Sequence, residues 1–338
     1  QLLRENNTDQ SLAQALMFHN LLKSTTYYRS GTVELRGNPG PIPGSPIYRF
    51  TNLKFPIKDK QENILATVKF VDVTDKIGLQ GIRSQATTVV SCDYDSDGDE
   101  DLVISQWSDH DQSSKQSIFK NNSGVFKDIS GITGINHEGR DIIALTADYD
   151  NDGFLDLLFI NNLKSRLYKN DGKGKFIDMT STIGIDFTSN GMKAGFFDYD
   201  LEGDLDLYVA SGSTNELYRN NADGTFTEVS NKSGTAGNSA KSKDIAFGDF
   251  DEDGDVDLFV LNQNGASRFY DNRRQGYFAD ITTTVGLNFV GEPSTVVSGD
   301  YNNDGYLDLF ISDLAGEQHA IFQNKGDGTF IKDEASLS

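Results

Sequence analysis

Five short segments hold most of the chemistry this chain can do: DYDSDGDED from Asp93, DYDNDGFLD from Asp148, DYDLEGDLD from Asp198, DFDEDGDVD from Asp249 and DYNNDGYLD from Asp300. Each puts an oxygen-bearing side chain at positions 1, 3 and 5 and a glycine at position 6, where the chain must turn sharply. Alternate residues of a tight loop point inward. The side chains of Asp93, Asp95 and Asp97 therefore converge, as do Asp148, Asp150 and Asp152; Asp198, Asp200 and Glu202; Asp249, Asp251 and Asp253; and Asp300, Asn302 and Asp304. Such a set suits a hard cation taking about six to eight oxygens, which points to Ca²⁺. An EF-hand would need a bidentate Glu at position 12. That position is Ile104, Phe159, Val209, Val260 and Ile311, apolar every time. Position 9 is instead aspartate throughout (Asp101, Asp156, Asp206, Asp257, Asp308), closing a nine-residue loop. Position 7 would donate a backbone carbonyl, so its side chain is free to vary, and it does: Asp99, Phe154, Asp204, Asp255, Tyr306. Solvated acidic turns are the plainer reading, but crowded carboxylates repel and raise one another's pKa without a cation.

Something must position these loops, and their spacing says what. Their first residues lie 55, 50, 51 and 51 residues apart, a period that marks a repeat array or propeller. Phe70, Phe126, Phe176, Phe226, Phe278 and Phe330 recur in step, the last five preceded by a segment ending in Asn, as in LYKNDGKGKF and LYRNNADGTF. Each period thus reads as four short strands: A before the acidic loop, B after it (DLLFI, DLYVA, DLFVL), C ending in Asn, and D opening at the Phe. The expected fold is all-β, a β-propeller of four-stranded blades. Five blades carry clear loops, and the upstream Phe70 segment implies part of a sixth, with seven (six or seven in all) resting on the family resemblance given below. An open ring would leave strand edges to be covered.

The five loops in register, with Phe247-Gly248 before one of them, resemble the FG-GAP/VCBS repeats found in integrin α-subunit heads and many secreted proteins. The resemblance spans roughly residues 66–333. It implies that the loop joins strands A and B and binds Ca²⁺ through positions 1, 3, 5 and 9 with the carbonyl of position 7, for up to five sites. Two loops depart from the pattern. Glu202 at position 5, beside Leu201, predicts a distorted third site, and Asn302 leaves the fifth one charge short.

The remainder of the sequence narrows the function by exclusion. With 30 Lys+Arg against 51 Asp+Glu, the net charge is −21, which disfavours nucleic acid and anionic membrane surfaces. No apolar run reaches the roughly 18–20 residues of a membrane span. The single Cys92 excludes a disulfide framework and reads as a small core residue. Residues 1–65 read as a short N-terminal helix over 9–24 and a Pro/Gly-rich connector, with an atypical blade as the alternative, and 66–338 as the propeller; a start at Gln1 suggests a piece of a longer precursor. The expected function is an extracellular, cell-surface or periplasmic module for protein interaction, adhesion or assembly. A propeller enzyme or glycan-binding lectin is the alternative. The partner surface is expected opposite the acidic loops, on a long B–C loop from Ser105 to Ser117 with Trp107, His110 and two aspartates, flanked by His137, Glu138, Arg140, Lys193 and Lys243 in D–A loops.

Overall fold

The computed structural model describes residues 71–333 apart from 80–81, 83–84, 186–190, 238–239, 264–265, 275, 288, 290 and 315–318. The expected helix over 9–24, the connector, the boundary near residue 65 and Phe70 lie outside the described residues. Twenty strands form five antiparallel sheets of four, each in simple up-and-down order. The first sheet comprises β1 (Gln85–Cys92), β2 (Asp101–Ser108), β3 (Ser113–Asn122) and β4 (Val125–Asp128). The second has β5 (Asp141–Ala147), β6 (Asp156–Asn161), β7 (Arg166–Asn170) and β8 (Phe176–Asp178). The third has β9 (Gly191–Phe197), β10 (Asp206–Ser211), β11 (Glu216–Asn220) and β12 (Phe226–Glu228). Then come β13 (Ser242–Gly248), β14 (Asp257–Asn262), β15 (Arg268–Asn272) and β16 (Phe278–Asp280). The last sheet is β17 (Pro293–Gly299), β18 (Asp308–Asp313), β19 (Ala320–Asn324) and β20 (Phe330–Asp333). The four strands read from each period are thus present in all five.

Every residue of β6, β10 and β14 is buried, because these strands have a sheet on both faces. This is why DLLFI, DLYVA and DLFVL run apolar without alternation. Side chains of one parity face back and those of the other face forward. Val103 and Ile118 meet Leu157 and Phe159 of the second sheet, whose Leu158 and Leu167 meet Leu207 and Val209 of the third. Tyr208 and Leu217 meet Leu258 and Val260, and Phe259 and Phe269 meet Leu309 and Ile311. Burying each such side chain is worth about 1.5–3 kcal/mol, so the stacking of sheets supplies the core. First strands follow one another, β1 on β5, β5 on β9, β9 on β13 and β13 on β17.

The segments after β4, β8, β12 and β16 each dock on the next sheet. A hydroxyl there accepts a third-strand amide: Ser130 from Ile118, Thr180 from Leu167, Ser230 from Leu217 and Thr282 from Phe269. A few residues on, a left-handed glycine sits against the next sheet's Phe carbonyl. The amides of Phe226 and Phe330 reach back to Ile183 and Val285 at 2.6 and 2.7 Å. Residues 71–79 make the same dock on the first sheet, where the Phe126 amide donates to Ile77 at 2.7 Å beside Gly78. They take the place on the first sheet that the segment after a fourth strand takes on each later one. At the other end, Val297 and Phe310 are 58% and 36% exposed, on the face whose counterparts Leu158, Tyr208 and Phe259 are buried. The five described sheets do not close into a ring, so the expected six or seven blades are not established by them.

The Phe–Gly dock yields a stability test. A Cβ at Gly286 (φ +80°) would lie 2.6 Å from the Phe330 carbonyl oxygen, whereas Gly299 has open space and no positive φ. Gly286→Ala should therefore cost more than about 1 kcal/mol in urea unfolding and Gly299→Ala almost nothing. Equal midpoints for the two variants would refute the dock.

Candidate metal centres

The acidic loops join first to second strands in every sheet, as β1 to β2 and β5 to β6. Position 9 opens the second strand, and the five aspartates there are at most 2% exposed. One oxygen accepts the amide of position 2, from Tyr94, Tyr149, Tyr199, Phe250 and Tyr301 at 3.0–3.3 Å. The other accepts the amide of the third-strand asparagine, from Asn121, Asn170, Asn220, Asn272 and Asn324 at 2.7–2.9 Å. Position 1 accepts the amide of the position-6 glycine at 2.9–3.1 Å in all five loops. Position 4 is left-handed every time: Ser96, Asn151, Leu201, Glu252 and Asn303 have φ between 57° and 60°. Leu201 therefore follows the common backbone, at a cost of about 1–2 kcal/mol for a residue with a Cβ. The third loop keeps this backbone turn, but Asp97, Asp152, Asp253 and Asp304 at position 5 each accept the position-7 amide at 3.0–3.2 Å, a bond not among those described for Glu202.

Four carboxylate triads result, each with one oxygen per residue within 4.8 Å of the others: Asp93, Asp95 and Asp101; Asp148, Asp150 and Asp156; Asp198, Asp200 and Asp206; Asp249, Asp251 and Asp253. Positions 1, 3 and 9 thus converge in the first three loops, and 1, 3 and 5 in the fourth. The fifth loop, with Asn302, forms no such triad among the described residues. In each of the four, one buried oxygen has no hydrogen-bond partner: Oδ1 of Asp95, Asp150, Asp198 and Asp249. Burial pushes the Asp101 carboxyl up to about 6 and those of Asp156, Asp206 and Asp257 up to about 8. Left alone, these groups resist ionisation; a cation would reverse that. An all-oxygen set with orphaned inward atoms fits a hard divalent ion.

Position 7 side chains are engaged elsewhere. Asp99 accepts the Ser123 amide at 2.7 Å and Asp255 pairs with Arg274 at 2.6 Å. The Phe154 and Tyr306 rings cover Gly172 and Gly326, and Asp204 is buried outside the triad. Asp97, Asp152 and Glu202 at position 5 instead meet a partner that sequence reasoning missed. The third-strand residue just before the asparagine reaches over the loop. Lys120 binds Asp95 and lies 3.0 Å from Asp97, and Lys169 binds Asp150 and lies 3.0 Å from Asp152. Arg219 lies 3.0 Å from Asp200 and binds Glu202, and Gln323 lies 3.4 Å from Asp304. The YKN and YRN triplets were the available signal. The asparagines also clamp the preceding loop. Asn170, Asn220, Asn272 and Asn324 donate side-chain N–H to the carbonyls of Tyr94, Tyr149, Tyr199 and Phe250 at 2.7–2.8 Å.

The opposite face differs from expectation. β2 and β3 extend through most of the supposed Ser105–Ser117 loop, leaving only residues 109–112 as a turn. Trp107 lies within β2, half-buried, its indole N–H donating to Asp109 at 2.9 Å, because this ladder pairs as far as Ser108 with Ser113. His110 and Arg140 are exposed, but His137 is buried between Asp141 at 2.8 Å and Tyr168 at 3.1 Å. Lys193 and Lys243 belong to β9 and β13, with Lys193 paired to Asp244 at 3.3 Å. Cys92 is a core residue whose thiol burial pushes up to about 12. No helix among the described residues is long and apolar enough to cross a membrane.

The tethered cations predict a difference between salt conditions. Lys169→Met uncovers Asp150 and Asp152, so it should lower the melting temperature in chelator and much less in millimolar Ca²⁺. Equal losses in a thermal-shift assay would show that Lys169 and a metal do not share these carboxylates.

The arrangement can be set beside known proteins. A lectin from Agrocybe aegerita, described as recognising non-reducing terminal N-acetylglucosamine, is 19% identical over 72% of this chain and 65% of its own, with a TM-score of 0.49. The Tc holotoxin pore of Photorhabdus luminescens is 18% identical, over 75% of this chain and 12% of that one (TM-score 0.42). The V. cholerae biofilm matrix protein Bap1 is 15% identical, over 73% and 38% (TM-score 0.43). The chain spans less than two thirds of the length of each. Comparison with curated proteins finds no match. The FG-GAP-like repeat matches residues 93–159, 148–209, 198–260 and 249–311, each match running from one acidic loop through the next. With those matches covering most of its length, the chain belongs to the FG-GAP-like repeat family.

Proposed function

We propose that the chain is a calcium-stabilised binding module working outside the cytoplasm, in adhesion or assembly, with a protein or glycan as its partner. The observation that carries this reading is the orphaned, buried carboxylate oxygen repeated in four successive loops. A fold that leaves one uncompensated carboxylate oxygen in each of four successive loops, at position 3 in the first two and position 1 in the next two, is organised to receive a cation there. Bound Ca²⁺ would supply charge compensation and cross-linking of the loop. The protein's own part is to hold position 1 through the glycine amide and position 9 through the asparagine amide. Extracellular modules bind Ca²⁺ with Kd values of about 10⁻⁴–10⁻³ M. Millimolar Ca²⁺ would then give about 0.4–1.4 kcal/mol per site. Such sites fill outside the cytosol and stay largely empty within it, which supports an extracellular, cell-surface or periplasmic home. With the loops serving stability on one face, the opposite face is the proposed partner surface. His110 and Arg140 stand exposed there, and Trp107 anchors the 109–112 turn.

The test is a melt in chelator and in millimolar Ca²⁺. Removal should lower the melting temperature by several degrees. Asp150→Asn, in a complete triad, should abolish more of the Ca²⁺-dependent gain than Asp304→Asn in the fifth loop. Identical melts with and without Ca²⁺ would end the calcium reading.

A further inference from the structure

The fifth sheet is open on the side that the other four bury. Its second and third strands set Phe310 opposite Ile321. The matching pairs, Val103 with Ile118, Leu158 with Leu167, Tyr208 with Leu217 and Phe259 with Phe269, are all buried against a following sheet. Phe310 is exposed and Ile321 half-buried. The second residue of each acidic loop follows the same rule. Tyr94, Tyr149, Tyr199 and Phe250 are at most 4% exposed. Each is capped by the ring that opens the next sheet's fourth strand, Phe176, Phe226, Phe278 or Phe330, with centroids 5.9–6.1 Å apart. Tyr301 is 43% exposed and has no such ring among the described residues. A groove of about 250 Å³ remains, lined by Val297, Tyr301, Leu309, Phe310 and Ile321.

We propose that this groove is covered by the chain's own residues 47–70, with Phe70 on Tyr301. Phe70 belongs to the capping series, since Val-Asp-Val-Thr follows it as Ala-Asp-Ile-Thr follows Phe278. The Thr74 amide donates to Asp72 at 2.9 Å, as that of Thr282 does to Asp280 at 3.1 Å, and Ile77 and Gly78 then dock on Phe126. The chain thus reaches the first sheet as it would on leaving a fourth strand, the strand that a capping Phe opens. Upstream, IYRFTNLKF from Ile47 and ILATVKF from Ile64 are rich in the aromatic and β-branched residues that suit strands, with PIKDKQEN between them as a turn. A second copy has no open first sheet to offer, because Ile104 and Phe119 on its outer side are buried. The end of a stacked array needs a cap over its apolar face. One segment would serve both ends here, covering the fifth sheet and leading into the first. This goes beyond the binding-module reading and holds with or without calcium in the loops.

The test places p-benzoylphenylalanine at position 310 of the whole chain, irradiates it and maps the product by peptide mass. The expected adduct has monomer mass and joins position 310 to a peptide within residues 47–70. Phe70→Ala should lower its yield and speed the nitration of Tyr301 by tetranitromethane, read on the Tyr301 peptide. The same photoprobe at position 297 guards against a position-310 variant that fails to fold. A covalent dimer, which would assign the face to a second copy, would overturn the proposal. So would the absence of an adduct from both positions, an adduct outside residues 47–70, or a yield and nitration rate unchanged in Phe70→Ala.

Discussion

The structure depends on a buried aspartate at the head of each second strand, with both oxygens occupied by backbone amides. One amide comes from the second loop residue and the other from the third-strand asparagine, as with Tyr149 and Asn170 on Asp156. This carboxylate therefore ties loop, second strand and third strand together. Charged groups are buried only when bonded this fully. With both oxygens engaged and solvent excluded, its position is set before any cation arrives. In the first three triads position 9 is thus fixed independently of positions 1 and 3.

Charge is the counterweight. Nearly every favourable feature of the loops, from the tight turn to the converging oxygens, also concentrates negative charge. The chain meets that cost twice. A basic or amide side chain leans over the loop from the third strand, and the carboxylates remain available to an ion on their inner side. Lys169 engages Asp150 through Oδ2 while Oδ1 of the same residue is the orphan. One oxygen of the carboxylate is thus held by an internal cation, and the other is left for the ion proposed above.

Much of this was legible in sequence, for physical reasons that also explain the gaps. Period-50 spacing, apolar second strands and the Asp at position 9 all report local backbone requirements, which a single chain displays directly. Failure of the EF-hand at Ile104 or Val260 was equally visible, since a strand residue facing a neighbouring sheet cannot be a carboxylate. The long loop around Trp107 was misread because Gln106, Ser114 and Gln116 look like loop residues, yet the ladder continues through them. His137 carried no mark of its burial, which depends on Asp141 and Tyr168 rather than on its neighbours in sequence. Lys120 and Lys169 were hidden for the same reason: their partners lie 17 to 25 residues upstream.

The asparagine clamps have a direction. Asn170 holds the loop at Tyr94, Asn220 the loop at Tyr149, Asn272 that at Tyr199 and Asn324 that at Phe250, always from one repeat to the one before it. On a ribosome, a loop emerges about 75 residues ahead of the residue that locks it, the separations being 71 to 76. Each repeat must therefore wait, half-finished, until its successor's third strand has been made. A nascent chain would thus carry its newest loop unclamped until about one and a half further repeats had been made.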